Sequence, residues 1–252
     1  MVKTMGKYLL RIKYNGKNYK GWQIQPQVTE SKTIQGVLEE KLSIILKEKA
    51  VLFVAGRTDA GVHANDQCAH FLTNREIVSY KFLYSLNSLL KTEEISVISV
   101  EKIEDENFHA RFSCRQKTYK FQIFHSRIPD VFLRDFSWQV PLFDQIKAKK
   151  TAQFLLGNHD FSSFRDSHCQ AKNPIRSIEN FHFEQDGNLH KIYITARSFL
   201  HHQIRIMVGT IQQIIARNQP PETILEILEK KDRKIAGPTA PASGLFLEKI
   251  EY

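Results

Sequence analysis

The residues best suited to chemistry form a ten-residue stretch in which two glycines flank one arginine and one aspartate. This stretch, residues 55–64, reads Ala-Gly-Arg-Thr-Asp-Ala-Gly-Val-His-Ala and follows four apolar residues that predict a short buried strand. We call it the Asp59 loop. A carboxylate kept ionised by a nearby guanidinium can act as a nucleophile or a base. Taken alone, Arg57 and Asp59 are more typical of a solvated surface turn than of a catalytic loop. The choice between the two depends on the rest of the chain.

Two further stretches combine aromatic, imidazole and cationic side chains. Tyr119 stands between two lysines on an alternating strand, where it can stack on a base or sit in the core, and the residue types alone favour the core. A helix starting near Leu200 would place His201 and Arg205 on one face. The adjacent histidines suggest a metal, but no cysteine or carboxylate is spaced to complete a site, so no metal is predicted.

A fourth stretch, residues 157–165, reads Gly-Asn-His-Asp-Phe-Ser-Ser-Phe-Arg and invites comparison with a catalytic triad. His159, Asp160 and Ser162 lie too close along one turn to be arranged independently, and no Gly-x-Ser-x-Gly motif is present. A loop that contacts the backbone of a substrate is the favoured interpretation. The sequence also has neither a P-loop nor a Gly-x-Gly-x-x-Gly motif, so no nucleotide cofactor is predicted.

The charge of the chain favours a polyanionic partner. Its 252 residues include 36 lysines and arginines against 27 acids, a net charge of +9. Residues 109–127 and 197–217 carry cations and no acid. Clustered cations bind nucleic acids because neutralised phosphates release counterions. Many basic proteins bind no nucleic acid, however, so charge alone favours neither alternative.

The cysteines and the N-terminus indicate a reduced compartment. There are three cysteines at wide spacings, which fits neither a disulfide framework nor a zinc site. No apolar run has the length of a signal peptide or a membrane span. We therefore expect a cytoplasmic protein without membrane contact.

Apolar periodicity predicts an α+β fold with two similar halves. Residues 1–105 alternate as β-α-β-β-α-β, with strands at 8–14, 51–54, 67–73 and 95–103 and helices after an N-cap at Thr33 and at 77–90. A polar loop at 17–30 contains Trp22, interpreted as a lid over the core rather than a surface for stacking bases. This order suggests a ferredoxin-like unit.

The second half, residues 106–252, repeats the first in outline. The predicted elements are a strand at 117–124, a helix at 146–156, a hairpin at 181–196 around Asp186-Gly187, a helix at 203–217 and a strand at 245–250. We therefore expect two domains, 1–105 and 106–252, as ferredoxin-like (RNA-recognition-like) halves with antiparallel sheets joined around a central basic cleft.

Taken together, these stretches resemble bacterial tRNA pseudouridine synthases of the TruA family, in one order and along nearly the whole chain. The matching stretches are residues 14–16 (Tyr-Asn-Gly), 21–23 (Gly-Trp-Gln), 33–36 (Thr-Ile-Gln-Gly), 56–64, 108–111 (Phe-His-Ala-Arg), 157–165, 199–202 (Phe-Leu-His-His) with Arg205, and 237–241 (Gly-Pro-Thr-Ala-Pro). The resemblance implies isomerisation of uridine to pseudouridine at positions 38 to 40 of the tRNA anticodon arm. It also implies a homodimer that needs no cofactor, with each tRNA contacting both subunits.

The resemblance assigns a role to four residues. Asp59 matches the catalytic nucleophile that releases uracil from its N-glycosidic bond. Tyr119 matches a tyrosine that stacks on the uracil or helps to transfer a proton, and Arg205 matches the basic residue that pairs with the aspartate. Arg57 matches an arginine that fills the base stack or grips phosphate once the nucleotide is flipped out.

This sequence departs from the family pattern in three places, none of which touches the proposed chemistry. Asn15 stands where aspartate is usual, residues 90–95 replace a proline-containing turn, and Gln203 replaces a common methionine. Two rival functions are a non-catalytic RNA-binding module of the same fold and a hydrolase, such as a phosphatase, that uses Asp59. The intact residue set disfavours the first rival, and the absence of a metal-binding carboxylate cluster near Asp59 in the sequence disfavours the second.

Overall fold

The computed structural model describes residues 5–25 and 32–252, so residues 26–30 of the predicted polar loop lie outside the described residues. Contacts divide the chain into two compact units. Unit 1 comprises the described residues up to Arg115 together with Phe246–Tyr252, and unit 2 is Gln116–Leu245. The expected division into domains between residues 105 and 106 stays a prediction.

Unit 1 follows the predicted alternation of strands and helices. Its elements are β1 (Gly6–Tyr14), α1 (Ile34–Leu46), β2 (Phe53–Val54), β3 (His63–Thr73), α2 (Ser79–Leu89) and β4 (Ile95–Ile103). The bounds of β4 are those predicted. β2 is shorter than the predicted strand, since the Leu52 N–H donates to Glu39 Oε1 at 2.8 Å and not to a neighbouring strand.

Unit 2 contains more elements than predicted. They are β5 (Gln116–His125), β6 (Trp138–Val140), α3 (Gln145–Gln153), β7 (Gly157–Asp160), β8 (Ile175–Asp186), β9 (Leu189–Ala196), α4 (Gln203–Ala216) and α5 (Thr223–Lys230). The last strand of the chain, β10 (Leu245–Glu251), belongs to unit 1 from Phe246 onward. The predicted hairpin is confirmed by β8 and β9, with Gly187 at a φ of +55° in the turn. β6, β7 and α5 were not predicted.

The strands of both units pair mostly antiparallel, and the α+β class is confirmed. In unit 1, β1 lies between β4 and β3, β2 pairs with β3, and Phe246 and Leu247 of β10 run parallel to His63 and Ala64. In unit 2 the order is β5-β9-β8-β7, and β6 runs parallel to β5. Among the described residues, none of the helices combines the length and apolarity that crossing a membrane requires.

The start of α1 is hydrogen-bonded to the first part of the polar loop. Thr33 caps the helix as predicted, with its Oγ1 accepting from the Gly36 N–H at 3.2 Å. The next N–H groups of the helix, those of Ile34 and Gln35, donate to the carbonyls of Gly21 and Trp22 at 3.1 and 2.9 Å. Trp22 is only 1% exposed, which agrees with its interpretation as a lid over the core.

Candidate functional site

The Asp59 loop connects β2 to β3 and exposes its functional side chains unequally. Arg57 is exposed, Asp59 is half-buried, and Thr58 between them is buried. The Val62 N–H donates to the Asp59 carbonyl at 3.2 Å, which closes a tight turn, and Gly61 adopts a φ of +77° within it. Glycine enters this left-handed region without the penalty that a side chain would incur.

The segment after β1 holds the loop in place through Thr58. The Tyr14 hydroxyl lies 2.7 Å from Thr58 Oγ1, and the Trp22 N–H donates to the Thr58 carbonyl at 3.0 Å. Burial raises the pKa of Tyr14 to about 12, so its hydroxyl stays protonated at neutral pH. Both the backbone and the side chain of the residue before Asp59 are therefore fixed.

Two glycines let that segment approach the loop closely. A Cβ on Gly16 would lie 2.0 Å from the Val62 carbonyl oxygen, and one on Gly21 would lie 2.7 Å from that of Thr58. Both distances are well inside van der Waals contact. The glycines of the Tyr-Asn-Gly and Gly-Trp-Gln motifs thus serve the loop that carries Asp59, although they stand about forty residues before it in the chain.

Gln67 on β3 supports the loop from its other side, and sequence reasoning missed this role. Its Nε2 donates to the Gly56 carbonyl at 2.8 Å, and its Oε1 accepts the N–H of Cys68 at 3.1 Å. The side chain is completely buried. Gln67 follows Asn65 and Asp66 in the sequence, so its residue type gave no local signal. Buried amides are retained where they satisfy backbone groups.

Tyr119 lies on β5 in unit 2, opposite Ile194 of β9. It is 8% exposed and shares its buried face with Phe121 and Ile123, as the alternation predicts. The Phe199 ring meets it edge-on, with centroids 5.3 Å apart and planes at 87°. This geometry fixes the plane of the tyrosine ring.

Arg205 projects from the first turn of α4 and is half-buried. Its Nε donates to the Ala240 carbonyl at 2.7 Å, and the Ala240 N–H donates back to the Arg205 carbonyl at 3.0 Å. Ala240 belongs to residues 237–241, the Gly-Pro-Thr-Ala-Pro loop. That loop therefore orients the guanidinium.

Close packing holds this loop on α4. A Cβ on Gly209 would lie 1.8 Å from the Pro238 carbonyl oxygen, and one on Gly237 would lie 2.6 Å from the Cα of Thr210. The Gly237 N–H donates to Thr210 Oγ1 at 2.9 Å.

The expectation that His201 and Arg205 share a helical face is wrong. His202 adopts a φ of +60°, so α4 begins only at Gln203 and His201 precedes it. The two imidazoles stack with centroids 3.9 Å apart, and both turn toward Asp166, with His202 Nδ1 at 2.8 Å and His201 Nδ1 at 3.5 Å from its oxygens. Sequence reasoning missed Asp166 because it lies 36 residues from His202.

Asp166 is held as a carboxylate. Its partial burial opposes ionisation, but hydrogen bonds from the His168 N–H and from His202 outweigh that effect and lower its pKa to about 2. The His168 N–H donates to its Oδ1 at 2.8 Å.

The contacts of residues 157–165 agree with the rejection of a triad. His159 Nε2 lies 2.7 Å from the Leu156 carbonyl. Asp160 instead accepts from the N–H and hydroxyl of Ser162, at 3.0 and 2.6 Å, and pairs with Lys231 at 3.1 Å. The Ser162 contacts are those of a local turn, and the ion pair ties that turn to the end of α5.

The structure distributes the four predicted site residues over both units. Arg57 and Asp59 share one loop of unit 1, and Tyr119 and Arg205 lie on separate elements of unit 2. That these four residues act on one substrate is therefore a proposal about function.

Comparison with known proteins gives consistent matches. Residues 151–252 match the family model described as tRNA pseudouridine synthase. The chain is 42% identical over 248 residues to proteins named tRNA pseudouridine synthase A from Ehrlichia canis (strain Jake) and Wolbachia pipientis wMel, covering 98% of this chain and 100% of each relative. A protein of the same name from Bartonella tribocorum is 39% identical over 251 residues, with the same coverage.

Proposed function

Because this chain belongs to the bacterial tRNA pseudouridine synthase A family and is an isomerase that acts on tRNA, we propose that it converts uridine to pseudouridine at positions 38 to 40 of the anticodon arm, with Asp59 as the nucleophile. The observation that carries this proposal is the Asp59 loop. Its half-buried carboxylate stands on a backbone fixed by Tyr14, Trp22 and Gln67. A nucleophile held in place before the substrate arrives needs little reorganisation to react.

In the proposed reaction the Asp59 carboxylate attacks the target nucleotide and the N-glycosidic bond breaks. The released uracil rotates, a bond forms from its C5 to the sugar, and the Asp59 carboxylate is set free. The C5 proton is then lost and the former glycosidic nitrogen gains a proton. Product and substrate have the same atoms and electrons, so these steps need no redox cofactor.

The other three residues are proposed to receive and hold the flipped nucleotide. Flipping a base out of a stem costs a few kcal/mol, which contacts in the site must offset. Tyr119 stacks on the uracil, a role supported by the ring plane that Phe199 imposes. Arg205 pairs with Asp59, and the exposed Arg57 fills the stack or grips phosphate.

At the level of the whole protein we propose two ferredoxin-like halves around a central basic cleft, assembled as a homodimer in which each tRNA contacts both subunits. The arrangement of β1 to β4 with two helices in unit 1 supports the first part. The acid-free basic segments support an RNA groove. A cytoplasmic location, where tRNA is available, completes the proposal.

The experiment is to map pseudouridine in unmodified tRNA transcripts after incubation with the purified protein. Transcripts with uridine at positions 38, 39 or 40 should gain pseudouridine there, and a matched transcript with cytidine at all three positions should gain none. Modification confined to other positions would overturn the assignment of the anticodon arm. Binding without any modification would identify the non-catalytic RNA-binding module instead.

A further inference from the structure

Two arginines of unit 2, Arg165 and Arg176, lie outside the proposed chemistry and flank one loop. Arg165 follows the 3-10 turn Ser162–Phe164, and Arg176 is the second residue of β8. Between them, residues 165–174 form a connection that we call the Arg165 loop. β7 pairs antiparallel with β8, with Asp160 opposite Ile175, so this loop lies within the connection between two paired strands.

Each guanidinium holds part of the loop through main-chain carbonyls alone. Arg165 Nη2 donates to the Cys169 carbonyl at 2.7 Å. Arg176 Nη1 donates to the carbonyls of Asn173 and Ile175 at 2.9 and 2.7 Å. Over residues 5–25 and 32–252, neither arginine forms an ion pair with a carboxylate. The loop is therefore ordered by two cations whose charge is not neutralised.

The nearest acid in the sequence, Asp166, does not supply the missing charge. Its two oxygens are occupied by the His168 N–H at 2.8 Å and by His202 Nδ1 at 2.8 Å. Asp166 therefore anchors the histidine pair next to α4, while both guanidinium groups keep N–H donors that no group among residues 5–25 and 32–252 accepts.

The pair is electrostatically unfavourable as it stands. Arg176 is half-buried, and its Nε is buried without a hydrogen-bond partner among the described residues. Burial is the main cause that lowers the pKa of Arg176; Cys169 acts in the opposite direction, and the charge of Arg165 acts in the same direction as burial. Two like charges in a partly desolvated environment repel each other, and a bound anion would offset both the repulsion and the desolvation.

We propose that Arg165 and Arg176 form a phosphate-binding site that grips a backbone phosphodiester of tRNA. The planar guanidinium matches the geometry of phosphate oxygens, and paired arginines favour phosphate over a single-charge partner. Lys172, a further cation of the same loop, is exposed. The choice of tRNA as the source of the phosphate rests on the proposed function.

The test measures how tRNA affinity depends on salt for the full-length protein, using a transcript with cytidine at positions 38 to 40 so that no reaction intervenes. Arg165→Gln and Arg176→Gln should each reduce the slope of log affinity against log salt by about one, and the double variant by about two. Arg165→Lys and Arg176→Lys keep the charge and should retain the slope of the unsubstituted protein. Lys102→Gln is the matched control, since Lys102 is exposed and already paired with Glu104 at 3.0 Å.

Three results would overturn the proposal. One is an unchanged slope in folded Gln variants, with folding checked by thermal unfolding. Another is an equal loss of slope in the Lys102 control. The third is calorimetric binding of inorganic phosphate that the double variant abolishes while the tRNA slope stays unchanged, because the site would then serve free phosphate. Pseudouridine formation on uridine-containing tRNA is scored separately, and its absence in the unsubstituted protein would contradict the proposed function and not the phosphate site.

Discussion

Asp59 stands in a loop whose backbone is held by several separate contacts. Thr58 is tied to Tyr14 and Trp22, Gly61 makes the turn, and Gln67 supports the strand end at Gly56. Because so many buried contacts converge on one exposed edge, substitutions around Asp59 will disturb folding and activity together. A substitution that tests the chemistry must therefore leave these contacts intact.

His70 gives a residue-scale prediction about pH. It is 4% exposed, stacks on Phe53 with centroids 4.9 Å apart, and accepts the Ala110 N–H on its Nδ1 at 3.2 Å. Burial lowers its pKa to about 4, and the charges of His109 and Lys7 act in the same direction. The unfolded chain binds this proton below about pH 6.5, but the folded chain only below about pH 4, so stability falls as pH drops through that window.

We expect the free energy of unfolding in urea to be lower at pH 5 than at pH 7, with His70 contributing about 2 kcal/mol to the difference. His70→Asn keeps an acceptor for Ala110 and should flatten that dependence. His182→Asn, a change at an exposed histidine of β8, should leave it as it is. Equal pH dependence in the His70 variant and the unsubstituted protein would show that this imidazole is not held neutral.

At the scale of elements, α4 is shaped by the loop packed against it. Gly209 is an interior helical residue, and alanine in an open helix would stabilise it by up to about 1 kcal/mol. Here its Cβ would lie 1.8 Å from the Pro238 carbonyl oxygen, which cannot move without displacing residues 237–241. The same loop orients Arg205 through Ala240.

Gly209→Ala should therefore lower the free energy of unfolding by about 2 kcal/mol or more and reduce the rate of pseudouridine formation. The matched control is Gly36→Ala in α1, where the nearest atom to the new Cβ is the Thr33 Oγ1 at 3.0 Å and the change should stay within about 1 kcal/mol. Chemical denaturation of both variants makes the comparison. An equal effect at the two glycines would contradict the close approach at α4.

How far the sequence predicted the elements depends on whether the signal was local. The helix start at Thr33, the hairpin at Gly187 and the bounds of β4 follow from caps, turn residues and alternation within a few positions. α5 was missed although Ile224, Ile227 and Leu228 have helical spacing after two prolines. β6 and β7 are three and four residues long, and such short strands exist only through pairing with partners distant in sequence.

The same distinction explains the site. Asp59 and the glycines on either side of it lie in one contiguous motif, so the sequence alone predicts this part of the site. Gln67 and Asp166 act on groups that only folding brings near them, so their residue types alone do not reveal a role.

At the scale of the whole molecule, the net charge of +9 attracts a polyanionic substrate before any specific contact forms. If tRNA lies in a basic groove, its affinity should fall about 10³-fold or more between about 50 and 200 mM salt, as expected for six or more phosphate contacts. Filter binding or fluorescence anisotropy measures this. A flat response over that range would remove the groove from the account.

The proposed assembly is tested by sedimentation equilibrium. A homodimer has twice the 29.3 kDa mass of the chain. The expected result is this doubled mass at micromolar concentration, with one tRNA contacting both subunits. A complex with the mass of one 29.3 kDa chain plus one tRNA would show that one chain binds its substrate alone.

The most direct test of the central claim is the single-turnover rate of Asp59→Asn on unmodified tRNA. Asparagine keeps the size of the side chain but is not a competent nucleophile, so the rate should fall by at least about 10³-fold while tRNA affinity stays near that of the unsubstituted protein. Asp105→Asn, at an exposed acid of unit 1, is the control and should react normally. Pseudouridine formation by Asp59→Asn at a rate near that of the unsubstituted protein would contradict the assignment of Asp59 as the nucleophile.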